Sequence, residues 1–86
     1  MMGYGILASV MVVYERIRDL RDDKDLYQKD LARILGCSQR VYSHYERGEL
    51  DIPTEILIKL ADFHNTTVDY ILGRTDKREP LPRALT

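Results

Sequence analysis

The sequence predicts an all-α fold, a single domain of five short helices joined by tight turns. The chain has 86 residues, which suits one small domain. Hydrophobic residues make up 44% and charged residues 31% of it, a balance typical of a soluble globular protein. Apolar residues recur at three- and four-residue steps, and successive segments are separated by the charged run RDDKD or by glycine, proline or a capping hydroxyl residue.

The first helix is predicted from Tyr14 to near Asp23 or Lys24, where the run RDDKD breaks the apolar pattern, and the second over the segment QKDLARILG. Ile17 and Leu20 give the first helix its apolar side, and Leu26 is expected to fill the core from the connection. Gly36 can end the second helix because glycine accepts the left-handed backbone conformation. The apolar side of that helix is predicted to contain Leu31, Ala32, Ile34 and Leu35.

The third helix is predicted from about Gln39 to Arg47, with Ser38 as its N-cap and Gly48 at its end. Pro53-Thr54-Glu55 indicates the start of the fourth helix, which ends near His64-Asn65. Its core stripe is predicted to contain Ile56, Leu57, Leu60 and Ala61. Thr66 or Thr67 would cap a fifth helix, VDYILG, which Gly73 closes.

The chain divides into residues 1–13, a domain over residues 14–73 and a charged, proline-containing tail over residues 74–86. The start, MMGYGILASVMVV, is apolar but too short to span a bilayer, and it lacks the basic residues of a secretory signal. Three interpretations of it stay open: an upstream extension with Met11 as the true start, a β-prone arm that packs on a partner, or a disordered leader.

Composition argues against catalysis and metal binding. Cys37 is the single cysteine, so an intrachain disulfide is excluded and a cytoplasmic location is expected. Cys37, His44 and His64 lack the spacing of a structural zinc site, and no phosphate-binding glycine loop or catalytic triad pattern occurs. We therefore expect neither enzymatic activity nor a bound cofactor or metal.

The third helix has two different sides. At about 100° per residue, Val41, Tyr42 and Tyr45 fall on one side. Val41 is expected to pack against the second helix, and the two tyrosine rings are expected in the core with their hydroxyls at its rim. The other side contains no acidic residue and offers an amide, a hydroxyl, an imidazole and two guanidinium groups, which suit base edges and phosphate oxygens. These belong to Gln39, Ser43, His44, Arg40 and Arg47. A short helix and a glycine-containing turn precede it, as in a helix-turn-helix.

The segment YQKDLARILGCSQRVYSHYERG resembles the helix-turn-helix of the phage-repressor-like Cro/XRE transcriptional regulators. In that family a glutamine opens the second helix and LA…LG precedes SQ…YE.G. The flanking segments RIRDLRDDKDL and IPTEILIKLADFHNTTVDYILGRTD are also similar, so the resemblance covers about residues 14–76. It implies a five-helix, lambda-repressor-like DNA-binding domain that is usually dimeric on its operator.

The resemblance also implies roles for individual residues. Base edges would be contacted by Gln39, Arg40, Ser43 and His44. DNA phosphates would be bound by Gln28, Lys29, Ser38 and Arg47, with Gln28 at a helix N-terminus, where anions are attracted. Arg21 and Glu46 match a pair that forms an ion bridge behind the third helix, and we expect this pair to be partly buried.

These observations favour a sequence-specific DNA-binding regulator, a repressor from a bacterium or phage, with helix 39–47 in the major groove. Its partners would be double-stranded DNA with a palindromic operator and a second copy of the chain, without a membrane or small-molecule substrate. The alternative is an antitoxin-like or anti-repressor module that binds protein and does not contact DNA bases. The acidic loop ELD after the third helix and the net charge of −1 favour that alternative.

Overall fold

The computed structural model describes residues 14–80 of the chain. It contains five helices in this range: α1 (Glu15–Asp23), α2 (Gln28–Leu35), α3 (Gln39–Glu46), α4 (Thr54–His64) and α5 (Val68–Ile71). The predicted all-α fold is confirmed, and no strand occurs within these residues. Residues 1–13, for which three interpretations stay open, lie outside the described residues. So do the last six residues of the predicted tail.

All five helices end in the same way, with one residue in the left-handed conformation. These residues are Asp25, Gly36, Gly48, Asn65 and Gly73, with φ between 56° and 79°. At each end the N–H groups of the left-handed residue and of the residue after it donate to carbonyls of the last helical turn, which is the Schellman motif. Each turn therefore satisfies backbone groups that a helix end leaves without partners. The glycines at positions 36, 48 and 73 were expected to end helices, whereas Asp25 was not.

The core lies between α1, α2, α3 and α4, and its largest fully buried side chains are Ile17, Leu20, Leu31, Tyr42 and Leu60. Leu26 packs against this core from its connection, as predicted. The prediction for Ile34 was wrong, because its side chain is 42% exposed. In the two turns of α2, Leu31, Ala32 and Leu35 already fill the buried stripe, so Ile34 falls on its outer edge.

The helix-turn-helix consists of α2, a short turn and α3. The Cys37 N–H donates to the Ala32 carbonyl at 2.9 Å, and Ser38 then caps α3. Cys37 itself is half-buried in this turn, and burial raises the pKa of its thiol. The two helices pack on each other, while α1 supports α3 and α4 supports α2. The inner side of α3 therefore packs on α1 and α2, and its outer side faces the surface.

The segment after α5 is held against α1. Arg16 donates hydrogen bonds to the carbonyls of Tyr70 and Thr75 and to the Asp76 carboxylate, and its guanidinium lies 4.2 Å from the centre of the Tyr70 ring. Further along, Arg78 pairs with the Asp23 carboxylate at 3.0 Å, on α1. Residues 74–80 of the predicted tail therefore have a defined path over the domain.

None of the helices within residues 14–80 combines the length and apolar character that a crossing of the bilayer requires.

Candidate nucleic-acid interface

The outer side of α3 and the start of α2 form one open groove. It is lined by Gln28, Gln39, Arg40, Ser43, His44 and Arg47. All four residues predicted to contact bases line this groove, as do two of the four predicted to bind phosphates. Of the other two, Lys29 lines an adjoining depression that also includes Gln28 and Gln39. Ser38 is in the turn, where its side chain belongs to the helix cap.

The N-terminal turn of α3 presents its side chains freely. The Ser38 Oγ accepts a hydrogen bond from the Val41 N–H at 3.1 Å, so the helix begins at Gln39. Gln39 and Arg40 therefore occupy the first turn, and both are exposed. Neither forms an ion pair or side-chain hydrogen bond with another residue of the described range, 14–80. An amide and a guanidinium group are consequently available to a ligand in the groove.

At the C-terminal end of α3 the polar side chains are bonded to one another. Arg47 donates to the Ser43 hydroxyl at 2.7 Å and to the Glu49 carboxylate at 3.0 Å. The same carboxylate oxygen of Glu49 is hydrogen-bonded to Nδ1 of His44. The sequence pattern places Glu49 in an acidic loop but does not show its contacts with Arg47 and His44, two predicted DNA-binding residues. Gly48 is the feature of the sequence that could have indicated these contacts, because its left-handed turn brings residue 49 back over the helix end.

Behind α3, Arg21 and Glu46 form a two-bond ion pair. Arg21 Nε donates to Glu46 Oε2 at 2.7 Å, and Arg21 Nη2 donates to Glu46 Oε1 at 3.0 Å. Burial favours a higher pKa for the Glu46 carboxyl, but hydrogen bonds from Arg21 and Gln28 oppose it, and the net direction of the pKa is down. The carboxylate therefore stays charged, and the pair fixes the orientation of α3 on α1.

The hydroxyl of Tyr42, expected at the rim of the core, is instead buried. It has no hydrogen-bond partner within residues 14–80. Burial, and next the neighbouring Glu46 carboxylate, strongly raise the pKa of this phenol. The surrounding helices cover Tyr42 completely, so its hydroxyl lies inside the domain. The helical pattern predicts that Tyr42 is on the inner side of α3, but not how deeply its side chain is buried.

Gln28 connects this ion pair to the groove. Its Nε2 donates to Glu46 Oε1 at 3.0 Å, so the side chain predicted to bind phosphate is already oriented by a protein contact. An amide nitrogen carries two hydrogens, and the second one remains available to a phosphate oxygen. The backbone N–H groups of the first turn of α2 also point outward from the helix start, where the dipole favours an anion.

Tyr27 is a further residue beside the groove, and the sequence pattern does not predict it there. It precedes α2 as the N-cap residue, and its side chain is 69% exposed. The capping role falls to Asp30, whose carboxylate accepts the Tyr27 N–H at 2.9 Å. The Lys29 ammonium lies 5.6 Å from the centre of the Tyr27 ring. An aromatic ring with a neighbouring cation thus borders the depression that contains Gln39.

Within the part of the chain that the structure describes, no group of three or more histidine, cysteine, aspartate or glutamate side chains could hold a metal ion.

Comparison with known proteins gives matches to one kind of domain. The family model described as helix-turn-helix matches residues 17–71. The chain is 36% identical over 66 residues to the uncharacterized HTH-type transcriptional regulator YobD of Bacillus subtilis, covering 77% of this chain and 59% of YobD. No solved structure gives a significant match.

Two further relatives carry more specific names. The cryptic phage CTXphi transcriptional repressor RstR of Vibrio cholerae is 36% identical over 61 residues, covering 71% of this chain and 55% of RstR. The antitoxin PezA of Streptococcus pneumoniae is 30% identical over 70 residues, covering 81% of this chain and 44% of PezA. The chain spans about half the length of the curated relatives it matches.

Proposed function

The chain belongs to the helix-turn-helix family, and on that basis we propose that it is a sequence-specific DNA-binding transcriptional regulator that represses its target promoters. One observation carries the proposal: Gln39 and Arg40 are exposed in the first turn of α3, in the same groove as the start of α2. The relatives named as regulators, and RstR, named as a repressor, support it.

In this proposal α3 enters the major groove of double-stranded DNA. Arg40 can donate two hydrogen bonds to O6 and N7 of a guanine, and Gln39 can pair with N6 and N7 of an adenine. Ser43 and His44 follow one turn later on the same side of the helix and contact the next base edges. The sequence preference of the protein then comes mainly from the N-terminal half of α3.

Phosphate contacts would fix the position of α3 in the groove. The second N–H of the Gln28 amide, the backbone N–H groups at the start of α2 and the Lys29 ammonium face one DNA strand. Arg47 binds a phosphate at the opposite end of α3. A homodimer would place two copies of α3 in successive major grooves about 34–36 Å apart on a palindromic operator.

The experiment is selection of bound sites from random DNA, followed by gel shifts of Arg40→Ala on the selected site and on single-base variants. We expect Arg40→Ala to lose about 1–3 kcal/mol on the selected site and to stop distinguishing one base pair, because one guanine contact disappears. Arg18→Ala is the matched control, since it removes an exposed arginine from α1, outside the groove.

Selection that yields no preferred sequence, or Arg40→Ala binding every DNA as tightly as the wild type does, would refute the role in base recognition. A promoter-reporter assay with the selected operator tests repression, since the proposal requires lower expression when the protein is present.

A second candidate function is an antitoxin-like module that acts by binding another protein. The similarity to PezA favours it. Copurification of a stable stoichiometric protein partner from the source organism, combined with no DNA retention at low salt, would support this candidate over DNA recognition.

A further inference from the structure

We propose that Glu49 is a built-in competitor of DNA: its carboxylate occupies Arg47 and His44 in the free protein and must be displaced when the groove receives a phosphate. This inference rests on the proposed function and deepens it. It makes Glu49 a residue that lowers affinity for every DNA sequence, so that the base contacts of Gln39 and Arg40 decide which sites are occupied.

The backbone fixes the position of Glu49. Gly48 has a φ of 74°, and the Glu49 N–H donates to the His44 carbonyl at 2.9 Å. The chain therefore folds back over the last turn of α3, and residue 49 cannot extend away from the helix end. Its carboxylate meets the Arg47 guanidinium and the His44 imidazole at the end of the groove that they line.

The contacts of Glu49 are those that a phosphate oxygen would make. One oxygen, Oε1, is bonded to both Arg47 Nη2 and His44 Nδ1. The other terminal nitrogen of Arg47 donates to the Ser43 hydroxyl. Guanidinium groups donate to carboxylate and phosphate oxygens alike, so Glu49 Oε1 and a phosphate oxygen compete for Arg47 Nη2.

The position of Glu49 is not explained by helix stability. An acidic group at a helix C-terminus faces the negative end of the helix dipole, which favours a basic side chain instead. Hydrogen bonds from Arg47 and then from His44 lower the pKa of the Glu49 carboxyl, so it is ionised at neutral pH. A charged acceptor is thus held against two residues of a groove whose lining side chains are all basic or neutral.

The test measures DNA affinity for Glu49→Gln and for a matched control, Asp51→Asn. Both variants remove one negative charge from the same exposed loop, but Asp51 forms no ion pair with another residue of the described range. Affinity is measured by fluorescence anisotropy on the site selected by the wild type and on an unrelated duplex, at several salt concentrations. Thermal unfolding of each variant shows that it is folded.

We expect Glu49→Gln to bind both duplexes about two- to fivefold more tightly than Asp51→Asn does, the range for removal of an exposed ion pair. In an Arg47→Met background the extra gain shrinks, because the competing contact is gone. Equal affinities of the two loop variants overturn the inference while the proposed function stands. Weaker binding of Glu49→Gln to the selected site also overturns it, since Glu49 would then contact a base directly.

If neither the wild type nor Glu49→Gln binds any duplex at low salt, the inference and the proposed function both fail. If Glu49→Gln binds DNA and the wild type does not, the result supports the inference, because Glu49 would then prevent binding altogether.

Discussion

His64 is a buried histidine whose ring nitrogens lack partners. It is only 4% exposed, and neither nitrogen has a hydrogen-bond partner within residues 14–80. Burial, and after it the positive charges of Lys24 and Arg78, lower the pKa of the imidazole to about 4. In the unfolded chain the ordinary value is about 6.5. The unfolded state therefore binds a proton at a pH where the folded state does not.

This difference predicts a loss of stability in mild acid. The stability linked to His64 is fully present above about pH 6.5 and is lost as the pH falls toward 4, because the folded pKa is lowered. Each pKa unit is worth about 1.4 kcal/mol, so we expect the free energy of unfolding to fall by about 2–3 kcal/mol between pH 7.5 and 4.5. Urea unfolding at a series of pH values measures it.

His64→Leu is the control for this prediction, since leucine is apolar and does not titrate. Its free energy of unfolding should decline less over the same interval, and only the carboxylates should contribute. The Glu46 carboxyl, with its lowered pKa, adds a loss only below its ordinary value of 4.5. An NMR titration that gives His64 a pKa near 6.5 in the folded protein would contradict the prediction.

At the scale of single elements, the end of α2 depends on Gly36. Its φ is 77°, and a Cβ added there would meet no atom within 4 Å. The cost of a side chain at this position is therefore conformational strain alone, without a steric clash. For an L-residue the left-handed conformation costs roughly 1–2 kcal/mol.

We expect Gly36→Ala to lower the free energy of unfolding by about 1–2 kcal/mol, measured by urea denaturation. Gly36→Asn is the matched comparison, because asparagine tolerates the left-handed conformation better, as Asn65 does at the end of α4. Equal stability of Gly36→Ala and wild type would show that the turn can rearrange without this conformation.

The helices could be predicted from the sequence because their signals are local. Ser38 as a cap and the glycines at the helix ends act within a few residues, and the structure has these features where the pattern placed them. The exposure of Ile34 and the buried hydroxyl of Tyr42 depend on neighbouring helices. Periodicity gives the side of a helix on which a residue lies, but not how far the next helix extends over it.

The residues that line the groove could be predicted from the sequence, but the hydrogen bonds that they form could not. The helical pattern placed the α3 side chains of the groove on one side of that helix, and the family resemblance pointed to Gln28 at the start of α2. Neither showed that Glu49 binds Arg47 and His44, or that Gln28 is held by Glu46, since these contacts depend on how turns and side chains are oriented in three dimensions. The roles of these residues in DNA recognition stay predictions.

At the scale of the whole molecule, Arg16 joins the two ends of the described domain. It bonds to the Tyr70 and Thr75 carbonyls and to Asp76, across more than fifty residues of sequence. Contacts between sequence-distant segments hold residues 74–80 in place, and their loss should let this segment open locally while the helices stay folded.

We expect Arg16→Met to accelerate trypsin cleavage after Arg74, Lys77 or Arg78 by about tenfold, because hydrogen bonds worth about 1 kcal/mol each are lost. Arg18→Met is the matched control, since Arg18 is exposed on the same helix and its removal also deletes one cleavage site. The rates are followed by mass spectrometry under native conditions. Equal rates for the two variants would mean that Arg16 does not hold the segment.

The half-buried thiol in the turn between α2 and α3 has a practical consequence. Because Cys37 is the single cysteine in the sequence, a maleimide dye or a nitroxide would mark every molecule at one defined point. Its raised pKa makes the reactive thiolate scarce at neutral pH, so conjugation should be slow there and faster in alkaline buffer. The probe would then report on the junction of the two helices from inside the motif, without an engineered substitution.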